Sequence, residues 1–321
     1  AHVTGRRNLC LAGGVALNCV ANGILLKEKV FDNIWIQPAA GDAGGALGAA
    51  LEVWNQSLSN KGINHAASLT LPESTGDDMN GSLLGPEYNE KEICEALGSF
   101  DAVYLRFDEG EMLDRVSALL EDGKIVGWFQ GRMEFGPRSL GNRSILGDPR
   151  LVSLQSSINR KVKFRESFRP FAPAVLEERS SEYFDLKGSS PYMLKVANVA
   201  ESQLKKVLDK EEEGFDRIKY ERSTIPAVTH VDGSARVQTV NKDQNPLFWK
   251  LLKCFESKTN CGVLLNTSFN VRGEPVVCTP EDAYRCFVNT SIDWLAIGPF
   301  LLKRGDQPEA KPQQEFDPIP D

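Results

Sequence analysis

Residues 130 to 170 carry Arg132, Arg138, Arg143, Arg150, Arg160, Lys161, Lys163, Arg165 and Arg169 against only three carboxylates, Glu134, Asp148 and Glu166. The whole chain, by contrast, has a formal net charge of -7. Turn formers (Gly131, Gly136, Pro137, Gly141, Gly147 and Pro149) break up the cations, so their heads can converge on one compact anion. A phosphate compound fits that pattern better than a long polymer. In Gly131-Arg132-Met133-Glu134-Phe135-Gly136-Pro137-Arg138, glycine lets backbone N–H groups approach an anion, and a guanidinium fork pairs with phosphate oxygens. The alternative is a solvated turn whose arginines bridge surface carboxylates.

Three further stretches carry groups suited to the same chemistry. Asn159 to Arg165 alternates so that Lys161, Lys163 and Arg165 fall on one side of an extended segment. Such like charges either grip an anion or guard a sheet edge. Thr229 to Arg236 reads as a loop between short strands. It offers Arg236 as a third arginine contact, and His230 as either a structural hydrogen-bonder or a general acid-base group. Leu265 to Gly273 follows an apolar strand with a row of small polar groups, among them Asn266 and Ser268. At a strand end these can contact a nucleotide or simply cap a turn. Near the start, Gly13-Gly14 with Asn18, and Gly41 to Gly45, are glycine turns at helix starts, where phosphate is favoured. Asp42 in the second turn could instead ligate a metal.

The elements that must hold these residues follow from periodicity. An apolar strand over Leu9 to Ala12, a helix through Leu17 to Leu25, a strand over 34–36 and an alanine-rich helix toward Trp54 form two βα units. Two units cannot cover both faces of a parallel sheet, so this block is expected to need partner strands and to be a fragment of a larger domain. Residues 55–88 turn to Ser, Asn, Gly and Thr and read as a linker. From Asn89 the pattern is folded again: strands over 102–107, 124–129 and 263–266, and helices over 111–121, 246–257 and from Thr279. Pro246 falls in a first turn, and Thr279 with Asp282 forms a capping pair. The tail 306–321 is rich in Pro and acid and is expected to be disordered.

Composition narrows the class. At 321 residues the length suggests about two domains. No apolar run reaches the roughly 18 residues of a membrane helix and no signal peptide is visible, so the expected location is cytoplasmic, with no membrane partner. A pI near 5.3 makes nucleic acid an unlikely partner. The seven cysteines contain no CxxC pair and read as reduced, and His2, His65 and His230 cannot make a histidine-rich metal site alone.

Taken jointly, and in this order, GGVALN, PAAGDAGGALGAA, GRMEFGPRSLGNRSIL, NRKVKFRESFRPFAP, HVDGSARVQTV and LLNTSFNVRGEPVVCTPEDA resemble the NodU/CmcH-type O-carbamoyltransferase family, nodulation and cephamycin types together. The resemblance implies an α/β protein: residues 1–54 as the C-terminal fragment of an actin/sugar-kinase-like ATPase-fold domain, 55–88 as linker, and 89–305 as a YrdC-like twisted mixed sheet with flanking helices. It implies two steps. Carbamoyl phosphate and ATP (with Mg2+) first give carbamoyl adenylate, with pyrophosphate and phosphate released; the carbamoyl group then passes to the hydroxyl of a small-molecule acceptor. Arg132, Arg138, Lys161, Lys163, Arg165 and Arg236 would serve the first step, with His230, Asn266 and Ser268 lining the nucleotide pocket. Gly13, Gly14 and Asn18 would line the transfer site. The family's iron (Fe2+) would take Asp42 as one ligand, but the histidine pair that supplies others has no match here, which leaves the transfer step incomplete. The competing expectation is a YrdC-like module that binds RNA or makes an adenylate for transfer-RNA modification.

Overall fold

The computed structural model describes residues 4–60, 79–205 and 220–308. His2, His65, most of the expected linker and nearly all of the expected tail lie outside the described residues.

The front block alternates as its periodicity predicts. β1 (Asn8–Leu11) and β2 (Asn33–Ile36) pair in parallel, Asn8 opposite Asn33 through Leu11 opposite Ile36, and α1 (Cys19–Glu28) crosses between them. Asn18 caps α1 through its side chain, which accepts from the Ala21 N–H at 3.1 Å. After β2 comes α2 (Asp42–Asn60). Two differences from the sequence reading appear here. The glycines expected to form a turn, Gly44 and Gly45, lie inside α2, because an alanine-rich run dilutes the cost of glycine in a helix. The helix also runs on past the expected boundary at residue 54, so 55–60 are helical rather than linker. The block leaves Val15, Val20, Ile24, Trp35, Val53 and Trp54 exposed, the uncovered surface expected of a two-stranded parallel unit.

The main body is a nine-stranded mixed sheet. Its strands are β3 (Leu105–Arg106), β4 (Val126–Phe129), β5 (Arg143–Gly147), β6 (Ala172–Leu176), β7 (Lys195–Asn198), β8 (Ser234–Val240), β9 (Val263–Ser268), β10 (Trp294–Ile297) and β11 (Phe300–Lys303). They run in the order β3-β11-β10-β4-β5-β9-β6-β8-β7. Every residue of β4, β5 and β6 is buried, which requires cover on both faces. The helices provide it: α4 (Glu109–Glu121) packs on α7 (Pro246–Thr259), α3 (Glu90–Gly98) packs on α8 (Pro280–Val288), and both α4 and α8 touch β4, while the single-turn α6 (Ser180–Tyr183) follows β6. The predicted caps are present. Thr279 and Asp282 form a capping box on α8, and Pro246 opens α7.

The ends of the expected linker and the start of the tail are built into this body. Phe135 N–H donates to Ser82 O at 2.6 Å, and Gly85 and Pro86 exchange backbone bonds with Met133. Gln307 donates to Val103 O at 2.8 Å, one residue into the expected tail.

The stretch 159–165 departs from the sequence reading. It is the end of α5 (Leu154–Lys161) followed by a turn, and not an extended segment. Leu154, Ile158 and Val162, four apart and all buried, set a helical period that outweighs the charge alternation. Lys161 is therefore exposed on a helix, and Phe164, with a left-handed φ of 48°, stands between a buried Lys163 and a half-buried Arg165.

Candidate anion-binding site

Four cations from three parts of the chain meet at the β8–β9 side of the sheet. Arg236 is positioned by β8, Lys163 and Arg165 by the turn after α5, and Arg138 by the loop between β4 and β5. Burial, followed by the charges of Arg138 and Arg165, pushes the Arg236 guanidinium down to about 10. Burial, followed by the charge of Arg165, pulls the Lys163 ammonium down to about 7. Burial also lowers Arg138 and Arg165. Among the described residues none of the four is ion-paired to a carboxylate within 4.0 Å. Four half-buried or buried cations with no ion-paired carboxylate, Arg165 alone feeling the nearby charge of Glu166, form a site of positive potential.

Local hydrogen bonds explain how the chain tolerates this. Lys163 Nζ donates to Ser268 Oγ at 3.1 Å, Asn270 O at 3.0 Å and Asn270 Oδ1 at 2.8 Å, and also to Ser268 O. Ser268 Oγ in turn donates to Asn270 Oδ1 at 2.7 Å. Arg165 Nε donates to Asn159 Oδ1 at 2.8 Å, and its guanidinium lies 5.2 Å from the Phe171 ring centre. The loop that presents Arg138 is folded around one carboxylate. Glu134 Oε1 accepts from the N–H groups of Leu140 at 2.6 Å, Asn142 at 2.8 Å and Arg143 at 3.3 Å.

Other expected site residues fall into different roles. Asn266 is 1% exposed, and its Nδ2 donates to Ser139 O and to Gln238 Oε1, tying the arginine loop to the sheet. Its Oδ1, together with Ser139 Oγ and Arg138 Nε, is buried without a hydrogen-bond partner among the described residues. His230 sits beside Arg236, with Ser234 Oγ 3.1 Å from its Nδ1, and burial keeps its imidazole on the neutral side. Arg132 stands apart: it is 54% exposed, donates to Gly85 O and lies 3.6 Å from Glu87. Lys161 is exposed, and neither it nor Arg132 is among the charges felt by the four. Gly13, Gly14, Asn18 and Asp42 lie exposed on the front block. No group of three His, Cys, Asp or Glu able to hold a metal occurs among the described residues, so Asp42 has no companion ligands there.

Two contributions escaped the sequence reading. Asn270 completes the oxygen shell of Lys163; it stood in the quoted polar row, and its spacing of two from Ser268 was the available signal. Cys19, the first residue of α1, lies with its thiol against Arg236 and so brings the front block to the edge of the cationic cluster. Nothing in a lone cysteine signalled that.

No described helix is long and apolar enough to cross a membrane. Comparison with known proteins matches residues 117–304 to the family described as carbamoyltransferase C-terminus and residues 2–51 to carbamoyltransferase N-terminus. An uncharacterised protein of Synechocystis is 54% identical over 317 residues, covering 97% of this chain and 50% of that protein. Nodulation protein NolO of Bradyrhizobium diazoefficiens is 40% identical over 305 residues, 94% of this chain and 50% of the relative. The 3'-hydroxymethylcephem-O-carbamoyltransferase of Amycolatopsis lactamdurans is 30% identical over 300 residues, 93% of this chain and 49% of that enzyme. The chain thus spans about half the length of these curated relatives. With the C-terminal match alone covering more than half of the residues, the chain belongs to the carbamoyltransferase family.

Proposed function

We propose that this chain carries the carbamoyl-adenylate-forming part of an ATP-dependent O-carbamoyltransferase, its main body being YrdC-like and its front block a portion of an actin/sugar-kinase-like transfer domain. The observation that carries the reading is the convergence of Arg138, Lys163, Arg165 and Arg236 with no carboxylate ion-paired to any of them among the described residues. Unpaired buried polar atoms are rare in native proteins. Arg138 Nε, Ser139 Oγ and Asn266 Oδ1 beside that cluster therefore support a pocket shaped for a polar ligand. Carbamoyl phosphate and ATP would supply the missing negative charge.

The chemistry asked of these residues is positioning and charge stabilisation. Water cleaves the carbamoyl–phosphate bond to leave carbamate and phosphate. A carbamate oxygen then attacks the α-phosphorus of ATP as the bond to the β-phosphate oxygen breaks, giving carbamoyl adenylate and pyrophosphate. Arg138, Arg165 and Arg236 would hold the phosphate oxygens through both exchanges. Lys163 would fix Ser268 and Asn270 as polar contacts at the strand end. Magnesium would travel with ATP. Transfer to a small-molecule hydroxyl, with AMP leaving, would take place next to the front block, where Gly13, Gly14 and Asn18 face outward. No step is assigned to iron, because the described residues do not assemble a site for it.

The test is exchange of labelled pyrophosphate into ATP. Exchange that requires carbamoyl phosphate is the expected result. Exchange driven by threonine and bicarbonate instead would favour an adenylate made for transfer-RNA modification, and ATP binding without either would mark a non-catalytic nucleotide binder.

A further inference from the structure

Strand β6 separates β9 from β8, and two amide side chains meet over it. Asn266 of β9 stands opposite Ala172 of β6, and Gln238 of β8 stands opposite Ala174. On this face β6 presents only those two methyl groups between them, so Asn266 Nδ2 reaches Gln238 Oε1 at 2.7 Å. Both amides are buried. The same face carries part of the anion site, since Arg236 precedes Gln238 by two positions in β8 and Ser268 follows Asn266 by two in β9.

Backbone carbonyls, which can only accept, fix which way each amide points. Gln238 Nε2 donates to Leu140 O at 2.7 Å, so its oxygen turns to Asn266. Asn266 Nδ2 gives its two hydrogens to that oxygen and to Ser139 O at 3.1 Å. Its Oδ1 is left as a buried acceptor with no donor among the described residues, and turning the amide over would set that oxygen against two carbonyl oxygens. On the loop held by this network, Arg138 Nε and Ser139 Oγ are also buried and unpaired. The unmet set is thus one acceptor and one donor, with a hydroxyl that can be either. A bare phosphate satisfies the arginine and leaves the amide oxygen unmet. A carbamoyl group satisfies both, because its NH2 donates while its oxygen accepts. An acetyl group of nearly the same size has no such hydrogen to give.

We propose that Asn266 is the specificity-determining residue for the carbamoyl group, its Oδ1 accepting from the carbamoyl NH2, and that Gln238 is the positioning residue that keeps this oxygen turned to the substrate. The inference rests on the cationic cluster being the carbamoyl phosphate site. It supplies what the cations alone do not, discrimination against other acyl phosphates. A buried acceptor left unmet penalises the wrong ligand more than a missing surface contact does.

The experiment measures equilibrium binding of carbamoyl phosphate, acetyl phosphate and inorganic phosphate, without ATP, to the wild-type chain, Asn266→Leu and Gln238→Met. The wild type should prefer carbamoyl phosphate over acetyl phosphate by about ten-fold or more. Asn266→Leu should bring that ratio to within about two-fold of unity, and Gln238→Met, which frees the amide to turn, should lower it by about three-fold or more. Inorganic phosphate, held by the cations, should change less than about two-fold in either variant. The wild-type ratio is decisive even where a substitution fails to fold. A wild type that binds the two acyl phosphates alike, or folded variants that keep the ratio or weaken all three anions equally, would overturn the assignment of Asn266 and Gln238 while leaving the cationic site standing. A wild type that binds none of the three would remove the cationic site and this inference with it.

Discussion

Lys163 and Ser268, 105 positions apart in the chain, are joined by an ammonium that touches both the hydroxyl and the carbonyl oxygen of the serine. This contact locks the turn after α5 to the end of β9 and so sets where Arg165 stands. Its cost depends on pH. Lys163 is held near 7 in the folded protein, below its ordinary 10.5. Between those values the unfolded chain keeps a proton that the folded chain has released, so stability rises with pH across that window and the penalty is fullest below about 7. Urea unfolding of the wild type and Lys163→Met from pH 6.5 to 10 should show the wild type gaining on the variant as pH rises. A difference independent of pH would show that the ammonium is charged throughout.

Arg236 should trade stability for binding. It is crowded by Arg138 and Arg165 with no carboxylate partner, so Arg236→Met relieves repulsion while keeping much of the packing. The expected result is an unchanged or higher Tm together with loss of carbamoyl phosphate affinity of about ten-fold or more, the range of a charged hydrogen bond. Arg132→Ala is the contrast. Exposed beside Glu87, Arg132 should contribute within about 1 kcal/mol to stability and little to binding. Calorimetry and thermal melts of both variants decide whether the four-cation cluster or the whole basic stretch makes the site.

The basic stretch was legible in the sequence as charge, and its glycines and prolines as turns, but its division of labour was not. Arg143 looks like its neighbours on the page, yet it is fully buried with its guanidinium 3.6 Å from the Phe129 ring centre, donating to the carbonyls of Gln130, Gly131, Asn142 and Pro86. Arg150 is likewise spent on Asp148. Which arginine is structural and which is free depends on partners brought from far along the chain, and a linear reading cannot supply those. Lys161, Lys163 and Arg165 show the same limit at close range: alternation of charge suggested a strand, whereas the spacing of Ile158 and Val162 carried the helix. Capping at Thr279 and Pro246 was readable because those interactions are local.

Glu134 positions Arg138 without touching it. One of its oxygens accepts three backbone N–H groups of the loop, so the carboxylate replaces hydrogen bonds that the turn cannot make internally. Glu134→Gln keeps an accepting oxygen and should fold, with KM for carbamoyl phosphate raised more than kcat is lowered. Glu134→Ala leaves three buried donors unmet and should cost on the order of 2–4 kcal/mol, since each such group carries a penalty of about 1–3 kcal/mol that local water partly offsets. Equal behaviour of the two variants would show that the loop does not depend on this carboxylate.

The front block docks on the sheet through α1 and β7, and that docking brings Cys19 to Arg236. Asn22, 2% exposed, donates through Nδ2 to Ala16 O at 2.9 Å and across the junction to Leu194 O at 3.0 Å. Gly23 lets the helix approach so closely that an added Cβ would sit 2.7 Å from Val196 O. Gly23→Ala must therefore push α1 off β7, an overpacking cost of about 1–3 kcal/mol concentrated at the junction. Limited proteolysis should cut the front block from Gly23→Ala faster than from the wild type, while the main body stays resistant and still binds carbamoyl phosphate. Should that binding fall together with docking, the α1 terminus and Cys19 would have to be counted as part of the anion site itself.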